Sequence, residues 1–115
     1  DVTKDFSRTE AFEIGVLIDL SRQAREAGIR YPLAITPEVY QECLIGDAEE
    51  SVRDEMERAL DLVTQVATIA RMSPRVSRVH FDFIRDDDDF REVPLVLICS
   101  LGDFGETVLT VVIDS

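Results

Sequence analysis

The strongest hydrophobic pattern in the chain lies between about Glu49 and Met72, where apolar residues recur at steps of three and four. This spacing places them on one face of an amphipathic helix that faces a hydrophobic core. At about 1.5 Å per residue the predicted helix is roughly 35 Å long, enough to cross a small domain. The apolar positions that define this face are Val52, Met56, Ala59, Leu60, Val63, Val66, Ala67 and Ala70.

Capping patterns predict three shorter helices before this long one. Ser7, with a glutamate three residues later, begins a helix that ends at Gly15. Ser21 is the expected N-cap of a second helix of about six residues. Thr36, followed by a proline, begins a third helix that should end near Gly46.

Beyond residue 76 the hydrophobic pattern changes to a period of two, which is typical of a half-buried β-strand. Apolar and polar residues alternate over 79–83, an apolar run covers 95–99, and a third apolar segment covers 107–113. Helices followed by strands with short connections predict the α+β class. The predicted fold has short N-terminal helices and one long amphipathic helix packed on a small antiparallel β-meander.

Length and composition indicate one soluble domain that spans residues 1–115, with 45% apolar and 31% charged residues. Apolar runs are too short to cross a bilayer and no signal-peptide pattern opens the sequence, so a cytoplasmic location is expected. Cys43 and Cys99 are far apart and have apolar neighbours, which predicts free thiols rather than a disulfide or a zinc site.

The chain is strongly acidic: 24 Asp and Glu residues against 12 Lys and Arg give a net charge of −12. A field of this sign repels nucleic acid phosphates and anionic membranes, so neither is expected as a direct partner. Segment 37–61 alone contains nine acidic and two basic residues, and it therefore carries −7 of the net charge.

Four acidic residues of this segment, Glu50, Asp54, Glu57 and Asp61, have helical spacing and form one stripe along the long helix. Carboxylates about 5.4 Å apart are comparable in spacing with phosphates along a nucleic acid strand. The stripe predicts a non-catalytic interaction protein whose partner has a basic surface. The most specific version of this hypothesis is a DNA-mimic-like anti-defence factor. The structural alternative is a solvated helix face.

A second functional hypothesis centres on the one histidine of the chain. His80 and Asp82 lie two residues apart on one face of a predicted strand, and aspartates follow at 86–89. Asp86 and Asp88 with this pair are candidate metal ligands, which would make the protein a metal-dependent or acid–base enzyme. Four adjacent aspartates do not alternate with spacers as a calcium loop does, so a charged hairpin connection is the structural alternative. No cofactor is predicted.

The segments Gly15-Val-Leu-Ile-Asp19, Ala24-Arg-Glu-Ala-Gly-Ile-Arg30 and Pro32-Leu-Ala-Ile-Thr36 resemble a family of small uncharacterised bacterial proteins, a domain of unknown function often found on plasmids and phages. The resemblance covers about residues 7–45. It implies a cytoplasmic accessory protein of a mobile element and carries over no catalytic residue.

The last apolar segment, 107–113, has apolar residues on both faces and no charge. At a sheet edge such a strand would be unprotected and would pair with a second copy. A homodimer is therefore a further hypothesis, conditional on that edge position.

Overall fold

The structure, a computed structural model, describes residues 7–45, 52–73, 76–85 and 91–114. Its helices are α1 (Arg8–Glu13), α2 (Ser21–Glu26), α3 (Pro37–Val39), which continues as a π-helical turn (Tyr40–Leu44), and α4 (Val52–Met72). Its strands are β1 (Ile18–Asp19), β2 (Leu33–Ile35), β3 (Arg78–Arg85), β4 (Arg91–Leu101) and β5 (Thr107–Ile113).

The strands form one mixed sheet in the order β1-β2-β5-β4-β3. β2 runs parallel to β5, whereas β1–β2, β5–β4 and β4–β3 are antiparallel pairs. The α+β class is confirmed, and the prediction of a long helix on a small antiparallel meander is wrong, because α4 packs against a five-stranded mixed sheet. β2 has three residues, and so short an apolar segment carries no sequence signal of a distant partner strand.

The centre of this sheet is β5, which lies between β2 and β4. Its residues Val108, Leu109, Thr110 and Val111 are all buried. The condition attached to the homodimer hypothesis, an edge position for this strand, is therefore not met. Val108 on one face of β5 and Leu109 and Val111 on the other are covered within the chain itself.

The main hydrophobic core lies between α4 and one face of the sheet. Leu62, Val63 and Val66 of α4 are fully buried and belong to the same cluster as Leu95 of β4 and Val111 of β5. α2 and the π-helical turn also pack against α4 and close the core beside the sheet.

Two residues that the sequence placed on the buried face of α4 lie outside this core. The exposed fractions of Met56 and Leu60 are 66% and 48%, whereas Leu62, absent from the predicted stripe, is fully buried. At 3.6 residues per turn, a step of six residues rotates a side chain by about 120° around the helix. The buried face is therefore centred on Leu62 and Val66, and it leaves Met56 and Leu60 at its border.

Arginines from three elements converge on the C-terminal end of the π-helical turn. Arg58 of α4 donates through Nε to the carbonyl oxygen of Leu44 at 2.8 Å. Arg85 of β3 and Arg91 of β4 both donate to the carbonyl oxygen of Glu42, at 2.8 Å and 3.3 Å. The last carbonyls of a helix have no partner within it, and cations there also interact favourably with its dipole. These contacts fix the turn against α4 and the sheet.

Helix α1 covers part of the opposite face of the sheet. Ala11 of this helix packs against Ala34 of β2 in a second, smaller buried cluster. Arg8 connects the helix to the central strand, because its Nη1 donates to Thr110 Oγ1 and its Nη2 to the Leu109 carbonyl oxygen, both at 2.9 Å.

The first backbone amides of α1 have one acceptor next to the helix and one from a distant turn. Ser7 Oγ accepts from the Glu10 amide at 3.1 Å, which confirms the predicted N-cap. Asp103, in the turn between β4 and β5, accepts from the amides of Arg8 and Thr9 at 2.8 Å and 3.0 Å, and from the Thr9 hydroxyl at 2.8 Å. These hydrogen bonds lower the pKa of the Asp103 carboxyl, and the nearby Arg8 charge adds to them.

Asp103→Asn is expected to reduce the loss of the free energy of unfolding that the native protein shows as the pH falls into the acidic range. A carboxylate whose folded-state pKa is lowered contributes stability that is complete above its ordinary pKa and is lost as the pH falls through the folded-state pKa. The amide does not titrate, so the variant starts less stable near neutral pH and loses less below about pH 4. Urea unfolding of both proteins from about pH 7 to pH 3 measures the difference. If the free energy of unfolding changes with pH in the same way in both proteins, protonation of Asp103 does not contribute to the acid sensitivity of the fold.

Candidate interaction surface

The predicted acidic stripe lies on the side of α4 that faces away from the core. Asp54 is half-buried, and Glu57 and Asp61 are exposed. Each of these three carboxylates already interacts with another group of the protein. Glu50, the first member of the predicted stripe, lies outside the described residues, so the structure places three of the four candidates on one helix surface.

Arg58, one of the two basic residues of the acidic segment, is buried within the fold. It is 5% exposed, and its Nε donates to the Leu44 carbonyl oxygen. Arg58 therefore stabilises the fold from within, and it has a further interaction with the protein, as do Asp54, Glu57 and Asp61.

A shallow groove between α2 and α4 adjoins the acidic stripe and has a volume of ≈ 390 Å³. Met56 and Leu60 of α4 supply its apolar part, and both are exposed. Glu57 of α4 and Glu26 of α2 line it with carboxylates. Exposed apolar side chains bordered by polar or charged groups are found at many protein interaction sites.

Sequence reasoning missed this groove for a definite reason. Hydrophobic periodicity assigned Met56 and Leu60 to the core, and nothing local indicated that α2 lies beside them. Leu62 lies about 120° around the helix from Met56, and Val66 lies about 120° from Leu60, so the two pairs belong to different faces.

We call the combined surface of Glu26, Met56, Glu57, Leu60 and Asp61 the acidic groove.

His80 lies on the exposed face of β3, as predicted, and its nearest charged partner is Asp114 rather than Asp82. His80 Nδ1 lies 3.0 Å from Asp114 Oδ2, with side chains that are 64% and 38% exposed. This contact crosses β4, because Asp114 follows β5 and His80 is on β3. The arrangement forms a solvent-exposed pair that joins the ends of two non-adjacent strands.

Asp82 is also exposed on β3, and its carbonyl oxygen accepts from Gln65 Nε2 of α4 at 2.8 Å. The other two candidate ligands, Asp86 and Asp88, lie outside the described residues. Within the described part of the chain, no group of three or more His, Cys, Asp or Glu residues is arranged to hold a metal ion. The structure thus brings His80 to Asp114 and leaves the predicted metal cluster a hypothesis.

Comparisons of the chain with protein-family models, with curated proteins and with solved structures give no match. The resemblance of residues 7–45 to a family of bacterial proteins therefore stays a prediction. Among the described helices none combines the length and the apolar character needed to cross a membrane.

Proposed function

We propose that this chain is a non-catalytic interaction protein whose acidic groove binds a basic and apolar segment of another protein. The observation that supports it is the exposure of Met56 and Leu60 beside the carboxylates of Glu57 and Glu26. An isolated exposed apolar residue needs no explanation, but two adjacent ones in a groove lined by carboxylates favour a binding surface.

The charged groups and the apolar groups of the acidic groove have separate physical roles in binding. The net charge of −12 accelerates the approach of a cationic partner and disfavours a second copy of this acidic chain. Met56 and Leu60 supply the apolar area whose burial slows dissociation once the partner has docked. The proposal thus commits to a cationic, amphipathic occupant rather than to a homodimer.

One such partner is a protein whose basic cleft normally binds nucleic acid. Glu57 and Asp61 are successive carboxylates on one helix surface, four residues or about 6 Å apart along the axis, comparable with a phosphate spacing. Mimicry of DNA by a mobile-element accessory protein is the form of the proposal that the resemblance of residues 7–45 favours.

The test is the affinity of a synthetic amphipathic peptide of lysine and leucine, measured by fluorescence anisotropy at low and high salt. Met56→Ala with Leu60→Ala is expected to weaken binding by about fivefold or more at both salt concentrations, the change that 1 kcal/mol produces. Met72→Ala is the matched control, because Met72 is 78% exposed on the same helix but does not line the groove.

The electrostatic part is tested by Glu57→Lys, which should weaken binding at low salt and reduce its salt dependence. Glu13→Lys makes the same change in net charge at an exposed position of α1. If both substitutions have equal effects, the peptide responds to overall charge and the acidic groove is not its binding site.

A further inference from the structure

A second cavity lies near the other end of α4 and is separate from the acidic groove. Its volume is ≈ 220 Å³, and it is bounded by the C-terminal part of α4, the loop between α2 and β2, and the sheet. The wall includes Ala67 of α4, Leu97 of β4 and Leu109 of β5, which are all buried core residues.

Two arginines line this cavity in a chain where acidic residues outnumber basic residues by two to one. Arg30 follows α2, and Arg71 lies in the last turn of α4; both are exposed. Neither guanidinium forms an ion pair or a hydrogen bond with any residue that the structure describes. By contrast, Arg8, Arg58, Arg85 and Arg91 all have hydrogen-bond acceptors within the fold.

The size and chemistry of this cavity define the ligand class that fits it. A buried apolar cavity of about 150 Å³ accommodates benzene, so this volume admits one ring and a short chain. Arginine binds carboxylates through two parallel hydrogen bonds, and two of them beside one apolar wall select a single anionic group. Tyr31, which also lines the cavity, adds an aromatic face and a hydroxyl.

We infer that this cavity binds a small aromatic monocarboxylate, with its ring against Ala67, Leu97 and Leu109 and its carboxylate at Arg30 and Arg71. The inference is independent of the proposed function. Ala67 and Leu60 are seven residues apart, which is about 10 Å along the helix axis. The small molecule and the protein partner would therefore occupy different surfaces.

The first test is calorimetric titration of the full chain with 3-phenylpropanoate and with the neutral 3-phenylpropanol. We expect saturable binding of the acid, and weaker binding of the alcohol by about tenfold or more, because a charge-assisted hydrogen bond is lost. Arg71→Gln and Arg30→Gln should each weaken binding of the acid to a similar extent. Arg78→Gln, at an exposed position of β3 that does not line the cavity, should leave it unchanged.

Cys99 provides a readout that reports the location of the bound acid. This half-buried thiol lines the cavity, whereas Cys43 is fully buried and burial raises the pKa of its thiol to about 12. Iodoacetamide modification of the folded protein near neutral pH is therefore expected at Cys99. Saturating 3-phenylpropanoate should slow that modification in the native chain, and should do so less in Arg71→Gln at the same concentration.

Three results would contradict a carboxylate-binding site in this cavity. Equal affinities for the acid and the alcohol would show that the arginines do not bind the carboxylate. Binding without protection of Cys99 would place the acid elsewhere, and no heat of binding together with no protection would remove the site. Circular dichroism of each variant separates a loss of binding from a loss of folding, and Arg30→Gln serves if Arg71→Gln does not fold.

Discussion

Leu62→Ala is expected to lower the free energy of unfolding by about 2–5 kcal/mol, the range for a buried leucine whose cavity is only partly refilled. Leu62 is fully buried in the cluster that joins α4 to the sheet. A domain of this size has a total stability of about 5–15 kcal/mol, so this substitution removes a large share of it. Urea unfolding followed by circular dichroism measures the change at constant temperature.

Leu60→Ala is the matched control, because it makes the same chemical change two positions away on the same helix. The Leu60 side chain is 48% exposed, and we expect a much smaller loss of stability than at Leu62. Equal losses at the two positions would mean that α4 is rotated relative to the sheet or that another chain covers Leu60 in solution.

Arg58→Met is the second substitution with a large expected effect. Methionine retains a long unbranched side chain but cannot donate a hydrogen bond, so the buried end of the π-helical turn loses its donor at the Leu44 carbonyl oxygen. Loss of a hydrogen bond from a charged donor to a buried acceptor costs about 1–3 kcal/mol. Thermal and urea unfolding should therefore both show a less stable protein.

Arg71→Met is the comparison for that variant, since Arg71 is exposed on the same helix and has no hydrogen-bond acceptor among the described residues. Its expected effect on stability is within about 0.5 kcal/mol. If Arg58→Met were as stable as the native protein, the turn would have another donor and Arg58 would not be what holds it to α4.

Local signals in the sequence predicted local structure, and they failed where a partner comes from far along the chain. Ser7 and Thr36 were predicted as N-caps, and both side chains accept from the amide three residues later. Ser21 has the same residue type, yet its Oγ accepts from the Leu33 amide at 3.1 Å instead of capping α2. The hydroxyl contacts the next strand, which a capping rule cannot show.

For the same reason, the sequence predicted the acidic stripe but neither the acidic groove nor the cavity. The spacing of Asp54, Glu57 and Asp61 was visible in the sequence because helical periodicity is a local property. The exposure of Met56 depends on which side of α4 meets the sheet, and the cavity beside Arg30 depends on a loop, a helix end and three strands. Only tertiary packing brings these groups together.

Because β2 pairs with β5, the last strand of the chain, the sheet cannot be completed until synthesis reaches the C-terminal strands. Leu33 pairs with Leu109, so β1 and β2 leave the ribosome several seconds before the strand on which they dock. During that interval β2 has β1 beside it but its other edge is unpaired, and Leu33 and Ile35, which are fully buried in the native state, lack the part of the core that β4 and β5 supply. Translation speed over the second half of the chain, and chaperone access during it, therefore bear directly on the yield of native protein.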